Sequence, residues 1–411
     1  MKTSTPPSTE GRITNTWHSF FVCALLLIVG INIRSVILAV PPVLPLIQHD
    51  LNLSYTASGL LTALPILIMG ATAWSSGLLV EKIGGRRAVT WGLLLLGLGT
   101  IMRGLWTTVF SLYLFTVLLS LGIALTQTTV PVLIRRWFPS HIGLVTALFT
   151  DGLIIGETIG AGATVPLMMR FLGNDAWPAT FIFWGIPLVV LLVIWLWLAP
   201  SAPPMTLASE SPEETRFIAS SPSTDAEKTP IKTLHFGFLL GAGSLIYFGM
   251  NSWIAAYNQA IHHADLTPLA LTILNAAQIP ASLGVTFLAQ QLMGRRWPFV
   301  SAGLICAVSI VGWVFAPAEL EYLWAALLGA SSALVFTLGL ALPPLLAAPG
   351  KVARLTGTTL SLGYSTAFVG PFIGGGLWDL FHLPALAFLP IGVASVLLVL
   401  LGIWLPEYGP S

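Results

Sequence analysis

Arg34 stands inside an apolar run. It follows Leu25-Leu26-Leu27-Ile28-Val29-Gly30-Ile31-Asn32-Ile33 and precedes Ser35-Val36-Ile37-Leu38, a stretch long enough to cross a bilayer. An ionised side chain at that depth costs roughly 2.5–3.5 kcal/mol on insertion scales, so it normally faces a cavity or a counter-ion and marks a pathway. Two acids stand in similar surroundings, Asp151 and Glu157, separated by six residues. A guanidinium is a planar, two-pronged donor suited to a small anion. A membrane-buried acid can neutralise it structurally or take up and release a proton. Both roles stay open for Glu157 and Asp151 at this point. Glu157 is the better candidate to pair with Arg34, because both fall on the same side of their helix centres.

Neutral polar residues in other apolar runs add candidate contacts. Asn32 lies two residues from Arg34, about 200° around a helix. Both could face one ligand only if the helix is distorted, for which Pro41-Pro42 supplies a cause. Asn251 and Asn258 are seven apart and share a face, with Trp253 and Tyr257 on another. Gln127 stands in an earlier run, and Asn275 and Gln278 precede a kink expected at Pro280. The candidate substrate contacts are Arg34, Asn32, Gln127, Asn251 and Tyr257. Each of these apart from Arg34 equally suits a hydrogen bond between helices.

The elements that carry these residues follow from composition. The chain has 411 residues, 55% hydrophobic and 8% charged, with mean hydropathy +0.88. Soluble domains average about 25% charged residues. This is a polytopic α-helical membrane protein, in which spans need roughly 20 apolar residues. Twelve are predicted, the first near 18–45 and the last near 384–405. The polar stretch Ser201–Lys232, rich in Ser, Pro and acids, reads as a linker. It divides the chain into an N-terminal six-helix half (1–200), a cytoplasmic linker (201–233) and a C-terminal six-helix half (234–411).

The halves echo each other: Gly30-Ile31-Asn32 with Gly249-Met250-Asn251, Gly85-Arg86-Arg87 with Gly294-Arg295-Arg296, Pro131 with Pro343. Gly152-xxx-Gly156-Glu157-xx-Gly160 likewise echoes Thr366-xxx-Gly370-Pro371-xx-Gly374. Four matches at corresponding helices indicate a duplicated unit with a binding site between its copies. Glycines 152, 156 and 160 recur every four residues, the spacing of close helix packing.

Charge placement orients the chain. With the N-terminus inside, fourteen Lys and Arg fall in cytoplasmic segments and two, Arg103 and Arg170, in the opposite loops. That bias puts both termini in the cytoplasm. The polar residues Met1 to Thr16 lack the core of a removable signal peptide. Cys23 and Cys306 fall inside spans and read as free thiols. The chain has no phosphate-binding loop of the Walker type, which argues against ATP-driven transport. His262, His263 and Asp265 lack a further strong ligand, so no metal or other cofactor is expected. No nucleophile–base constellation suggests an enzyme. The expected partners are the bilayer and a small polar or anionic molecule, with a coupling proton as a further candidate; no nucleic acid and a monomeric state are expected.

The loop after the second span reads Gly77-Leu78-Leu79-Val80-Glu81-Lys82-Ile83-Gly84-Gly85-Arg86-Arg87. It resembles the loop signature of the major facilitator superfamily, with Glu81 where aspartate is usual. The resemblance implies a gating role for Gly77, Glu81, Gly84, Arg86 and Arg87, in which the carboxylate and the bases latch the halves. The fifth-span glycines resemble that superfamily's fifth-helix motif, with Glu157 in place of its proline. Asn32-Ile33-Arg34, Pro42-Val43-Leu44-Pro45-Leu46-Ile47, Leu60-Leu61-Thr62-Ala63-Leu64-Pro65-Ile66, Met102-Arg103 and Gly122 to Arg136 are similar to the cyanate/2-nitroimidazole transporter family, well over spans one to four and loosely beyond. What this implies is an all-α major facilitator fold working by alternating access in the inner membrane, with a cyanate- or nitroimidazole-like substrate between the halves near Arg34. The alternatives are proton-coupled efflux of drug-like compounds through Asp151 or Glu157, and a non-transporting membrane receptor that kept the fold. The arginine of proton-driven drug antiporters is absent from the fourth span.

Overall fold

A computed structural model describes residues 16–173, 176–200, 229–292, 295–346 and 352–405. All its longer regular elements are α-helices. The first half comprises α1 (Thr16–Leu38), α2 (Val40–Leu51), α3 (Tyr55–Ile83), α4 (Gly85–Leu105), α5 (Val109–Trp137), α6 (Ile142–Phe171) and α7 (Trp177–Leu198). The second comprises α8 (Thr229–Ala260), α9 (Thr267–Ala276), α10 (Gln278–Phe287), α11 (Ala289–Leu292), α12 (Trp297–Phe315), α13 (Glu321–Leu346), α14 (Val352–Phe381) and α15 (Leu389–Ile403). Among the described residues, eleven helical segments are long and apolar enough to cross a membrane, and the 30-residue α14 completes the twelve spans of the bundle. Residues 201–228 of the predicted linker lie outside the described part, and 229–233 open α8.

Proline breaks two of the spans. Pro41 and Pro42 have no N–H to offer the carbonyls four residues back, and the first span is interrupted at Ala39 between α1 and α2. Pro280 does the same for the eighth, which breaks at Ala277 between α9 and α10. A single residue, Gly84, joins α3 to α4 at φ 81°, a left-handed backbone that favours glycine.

Close packing in the first half runs along the spaced glycines. A methyl group added to Gly152, Gly156 or Gly160 of α6 would overlap the carbonyl oxygens of Leu27, Ile31 and Ser35 on α1, in that order. Gly30 of α1 reciprocates against the Phe149 carbonyl. Two helices thus lie backbone to backbone, which fixes their register to one turn. Gly156→Ala is expected to cost about 1–3 kcal/mol by overpacking. A melting temperature of the purified variant equal to that of the wild type would show that the ladder is not under this constraint.

Between halves, α3 packs along α14, and α6 packs along α9. Counting spans, these are the pairs two–eleven and five–eight. Adding six to each number interchanges them, as a two-fold relation between the halves requires. Large apolar side chains face outward, including Trp197, Phe315 and Phe110 at 88%, 83% and 76% exposure. Such a surface is stable against lipid and not against water.

Arg103 corrects one expectation. It belongs to the last turn of α4 and not to a loop, is 1% exposed, and lies over the Phe181 ring at 4.3 Å. Cys23 and Cys306 are free thiols.

Candidate substrate site between the halves

Because Gly156 and Gly160 seat on Ile31 and Ser35, the residues beside them are also brought together. Arg34 Nε lies 3.4 Å from Glu157 Oε1, with the two side chains 5% and 7% exposed. This is ion-pair range without hydrogen-bond geometry. Arg34 Nε and Nη1 are both buried and make no hydrogen bond among the described residues. From the second half, Gln278 Nε2 donates to Glu157 Oε2 at 3.0 Å. Gln278 reaches it because the Pro280 break places it at the start of a new helix.

Arg34 and Glu157 line a cavity of about 70 Å³ whose other walls come from α8, α10 and α13. On α6 the wall is Thr150, Leu153, Ile154 and Glu157, the one-face spacing of a helix. Tyr247 and Phe248 of α8 and Phe336 of α13 add aromatic surface, and Ser244, Ser282 and Thr337 add hydroxyls. Phe248 stands 5.8 Å from the guanidinium carbon. From Arg34 and Glu157 the lining runs by way of Thr150, Ser282 and Thr337 toward the end of the bundle that carries the Gly84 turn.

The other end is clasped shut between halves. The Asp379 carboxylate of α14 accepts from the backbone N–H groups of Tyr55 at 2.8 Å and Thr56 at 2.7 Å, and from the Thr56 hydroxyl at 2.5 Å. An acid at a helix N-terminus satisfies donors that have no partner within the helix and complements its dipole. Tyr55 also stacks on Trp378 with centroids 3.9 Å apart. Opening this end must break the clasp. Asp379→Ala is therefore expected to cost about 1–2 kcal/mol as a lost cap, and to speed thiol labelling of a cysteine placed at Gln48. Unchanged labelling would mean that the clasp does not hold this face.

The remaining sequence candidates divide. Gln127 donates to the Tyr364 hydroxyl at 3.3 Å, and Tyr364 is a neighbour of Arg34. Asn251 lies behind the cavity wall: its Oδ1 accepts from Asn275, whose Oδ1 accepts from Tyr247. The Asn32 amide donates to Ile28 of its own helix and is not in the cavity lining. Tyr257 packs edge-on to Phe388 beside Asn258, which donates to Glu321, away from the cavity. Asp151 is on a different face of α6 from Glu157 and does not line the cavity. In the basic loop, Arg86 Nη2 donates to the Leu196 carbonyl, Arg87 is exposed, and Gly77 has open space at its Cα. The side chain of Glu81 lies outside the described part. Tyr247 and Tyr364 were missed by sequence reasoning; the available signal was Tyr247 four residues before Asn251, on the same face.

The family model for the Major Facilitator Superfamily matches residues 20–374. The chain belongs to the major facilitator superfamily. It is 27% identical over 366 residues to the cyanate transport protein CynX of Escherichia coli, with 86% of this chain and 88% of that one covered. It is 25% identical to the 2-nitroimidazole transporter of the same organism, with 98% of both chains covered. Among solved structures it resembles a D-xylose-proton symporter with TM-score 0.74 at 14% identity, covering 96% of this chain and 98% of that one. The protein is a membrane transporter of this superfamily, acting on a small molecule, and not an enzyme.

Proposed function

We propose that this major facilitator protein is a secondary carrier for a small anionic or strongly polar compound, held between the halves by Arg34. The observation that carries this reading is the guanidinium itself: it is 4% exposed, lines the cavity, and makes no hydrogen bond from Nε or Nη1 among the described residues. A buried donor left unsatisfied costs about 1–3 kcal/mol, more when charged. An anion bound there would regain that cost. The relatives named for cyanate and 2-nitroimidazole support a compact, planar substrate, and the aromatic walls suit a flat molecule.

On the positive-inside reading, the Gly84 turn faces the cytoplasm of a cell whose inner membrane holds the carrier, and the cavity described here is inward-facing. The loop Gly77, Glu81, Gly84, Arg86 and Arg87 then serves exchange between states and not selection. Proton-coupled efflux of larger drug-like compounds is the second reading, favoured by Glu157 in the cavity wall; the small cavity volume weighs against it. A ligand-stabilisation screen of the purified protein against small anions and nitro-heterocycles tests the proposal, since a ligand of the folded state raises its melting temperature. Stabilisation by small anions and not by their neutral isosteres is the expected outcome. Stabilisation by bulky lipophilic cations alone would turn the assignment to efflux.

A further inference from the structure

We propose that the outer end of the second half holds a separate ligand site, which takes a primary ammonium group between Glu321 and Asn258. This site shares no lining residue with the cavity at Arg34 and does not rest on the anion reading.

Glu321 opens α13 and is 5% exposed, while Asn258, in the last turn of α8, is fully buried. The Asn258 amide Nδ2 donates to Glu321 Oε1 at 2.5 Å. That bond serves one carboxylate oxygen and supplies no positive charge. Among the described residues Glu321 forms no ion pair and accepts from no backbone N–H, so it is not used up as a cap of its own helix. A carboxylate withdrawn from water calls for a cation. Its titratable neighbours are the exposed His263 and Asp265, with Tyr257 and Tyr322. Asn258 Oδ1 is also buried and has no hydrogen-bond partner among the described residues. Both unmet groups are acceptors, so the ligand that suits them is a positively charged donor.

Glu321 and Asn258 line a cavity of about 120 Å³, and Trp313 and Trp324 supply aromatic wall. Aromatic faces attract cations. A methyl group added to Gly312 of α12 would run into the Trp324 indole, so the indole is seated directly on that helix. Among the described residues no group of His, Cys, Asp and Glu is arranged to hold a metal ion. A primary ammonium fits better, since its three N–H donors can reach the carboxylate and the amide oxygen while its alkyl side meets the rings. A quaternary ammonium has no N–H to give. Trp324 Nε1 is a further buried donor without a partner among the described residues. It selects a ligand that carries an acceptor beside its ammonium, as ethanolamine does, either free or as a lipid headgroup. Such a ligand would fasten the outer ends of α8, α12 and α13 together, at the same end of the bundle as the Asp379 clasp.

The test titrates full-length protein in phosphatidylcholine nanodiscs at pH 8 by calorimetry. The probes are the chlorides of ethanolamine, ethylammonium, tetramethylammonium and sodium. Ethanolamine is expected to bind at one saturable site and ethylammonium several-fold more weakly, for want of one hydrogen bond. The other two should not bind. Trp324→Phe should bring ethanolamine down to the level of ethylammonium and leave ethylammonium unchanged. Glu321→Gln should weaken both by about tenfold or more, because the charge-assisted bond is lost. Arg34→Ala should bind ethanolamine as the wild type does. If Glu321→Gln does not fold, the four probes against wild type and Trp324→Phe decide the matter. Absence of ethanolamine binding, equal binding of sodium or tetramethylammonium, or binding that survives Glu321→Gln or disappears in Arg34→Ala would overturn the proposal. With phosphatidylethanolamine added to the nanodiscs, loss of free ethanolamine binding would identify the headgroup as the occupant, and unchanged binding the free amine.

Discussion

Arg34→Ala is expected to lower the affinity for a small anion about a hundredfold or more while the protein still folds. Hydrogen bonds to charged groups are worth about 1.5–3 kcal/mol each, and Nε and Nη1 of the guanidinium make no hydrogen bond among the described residues. Arg34→Lys should keep part of the binding, because lysine retains the charge and loses the planar two-pronged geometry. A neutral analogue of the same shape should bind weakly to wild type and be little changed by either substitution. The measurement is a titration of charged and neutral ligands against the three proteins. Equal affinity for both ligand classes in wild type and in Arg34→Ala would place Arg34 outside the site.

The second large effect is on stability. Glu157→Gln leaves the Arg34 charge buried opposite a neutral amide, and breaking one partner of a buried pair typically costs about 3–5 kcal/mol. Arg34→Met alone leaves Glu157 without its counter-charge, a smaller loss because a carboxyl group can be neutralised by a proton and a guanidinium cannot. The double variant removes both charges and should recover most of the loss, since a buried pair replaced by neutral groups is often close to neutral in stability. Thermal unfolding of the four proteins therefore should show a coupling energy of more than about 1 kcal/mol. Additive losses would mean that the 3.4 Å approach carries no energetic coupling. Added anion should stabilise Glu157→Gln more than the wild type, because there it supplies the missing counter-charge.

Several features were legible in the sequence because they are decided within a few residues. Long apolar runs must become helices in lipid, where every backbone polar group has to be satisfied within its own segment. Pro41-Pro42 and Pro280 mark the breaks of their spans, since a proline offers no N–H to the preceding turn, although Pro65, Pro131 and Pro187 stand inside unbroken helices. Gly152, Gly156 and Gly160 at four-residue spacing had to make one smooth face, and that face lies on α1. The turn at Gly84 is equally local.

The azimuth and depth of the polar side chains are another matter. Asn32 and Arg34 look equally buried along the sequence, yet one bonds its own helix and the other borders the cavity. Arg103 reads as a loop cation and is enclosed by Phe181 from a neighbouring helix. Tyr257 looks like a companion of Asn251, but it turns toward Phe388. That Glu157 and not Asp151 stands beside Arg34 depends on where α6 crosses α1, and the approach of Gln278 depends on a partner 121 residues away. Sequence thus determined the spans, their breaks and the glycine face, all set by backbone hydrogen bonding and sterics within a turn or two. The tertiary structure alone decided which polar groups share the cavity, because a helix offers several faces and only packing between distant segments chooses the one turned inward.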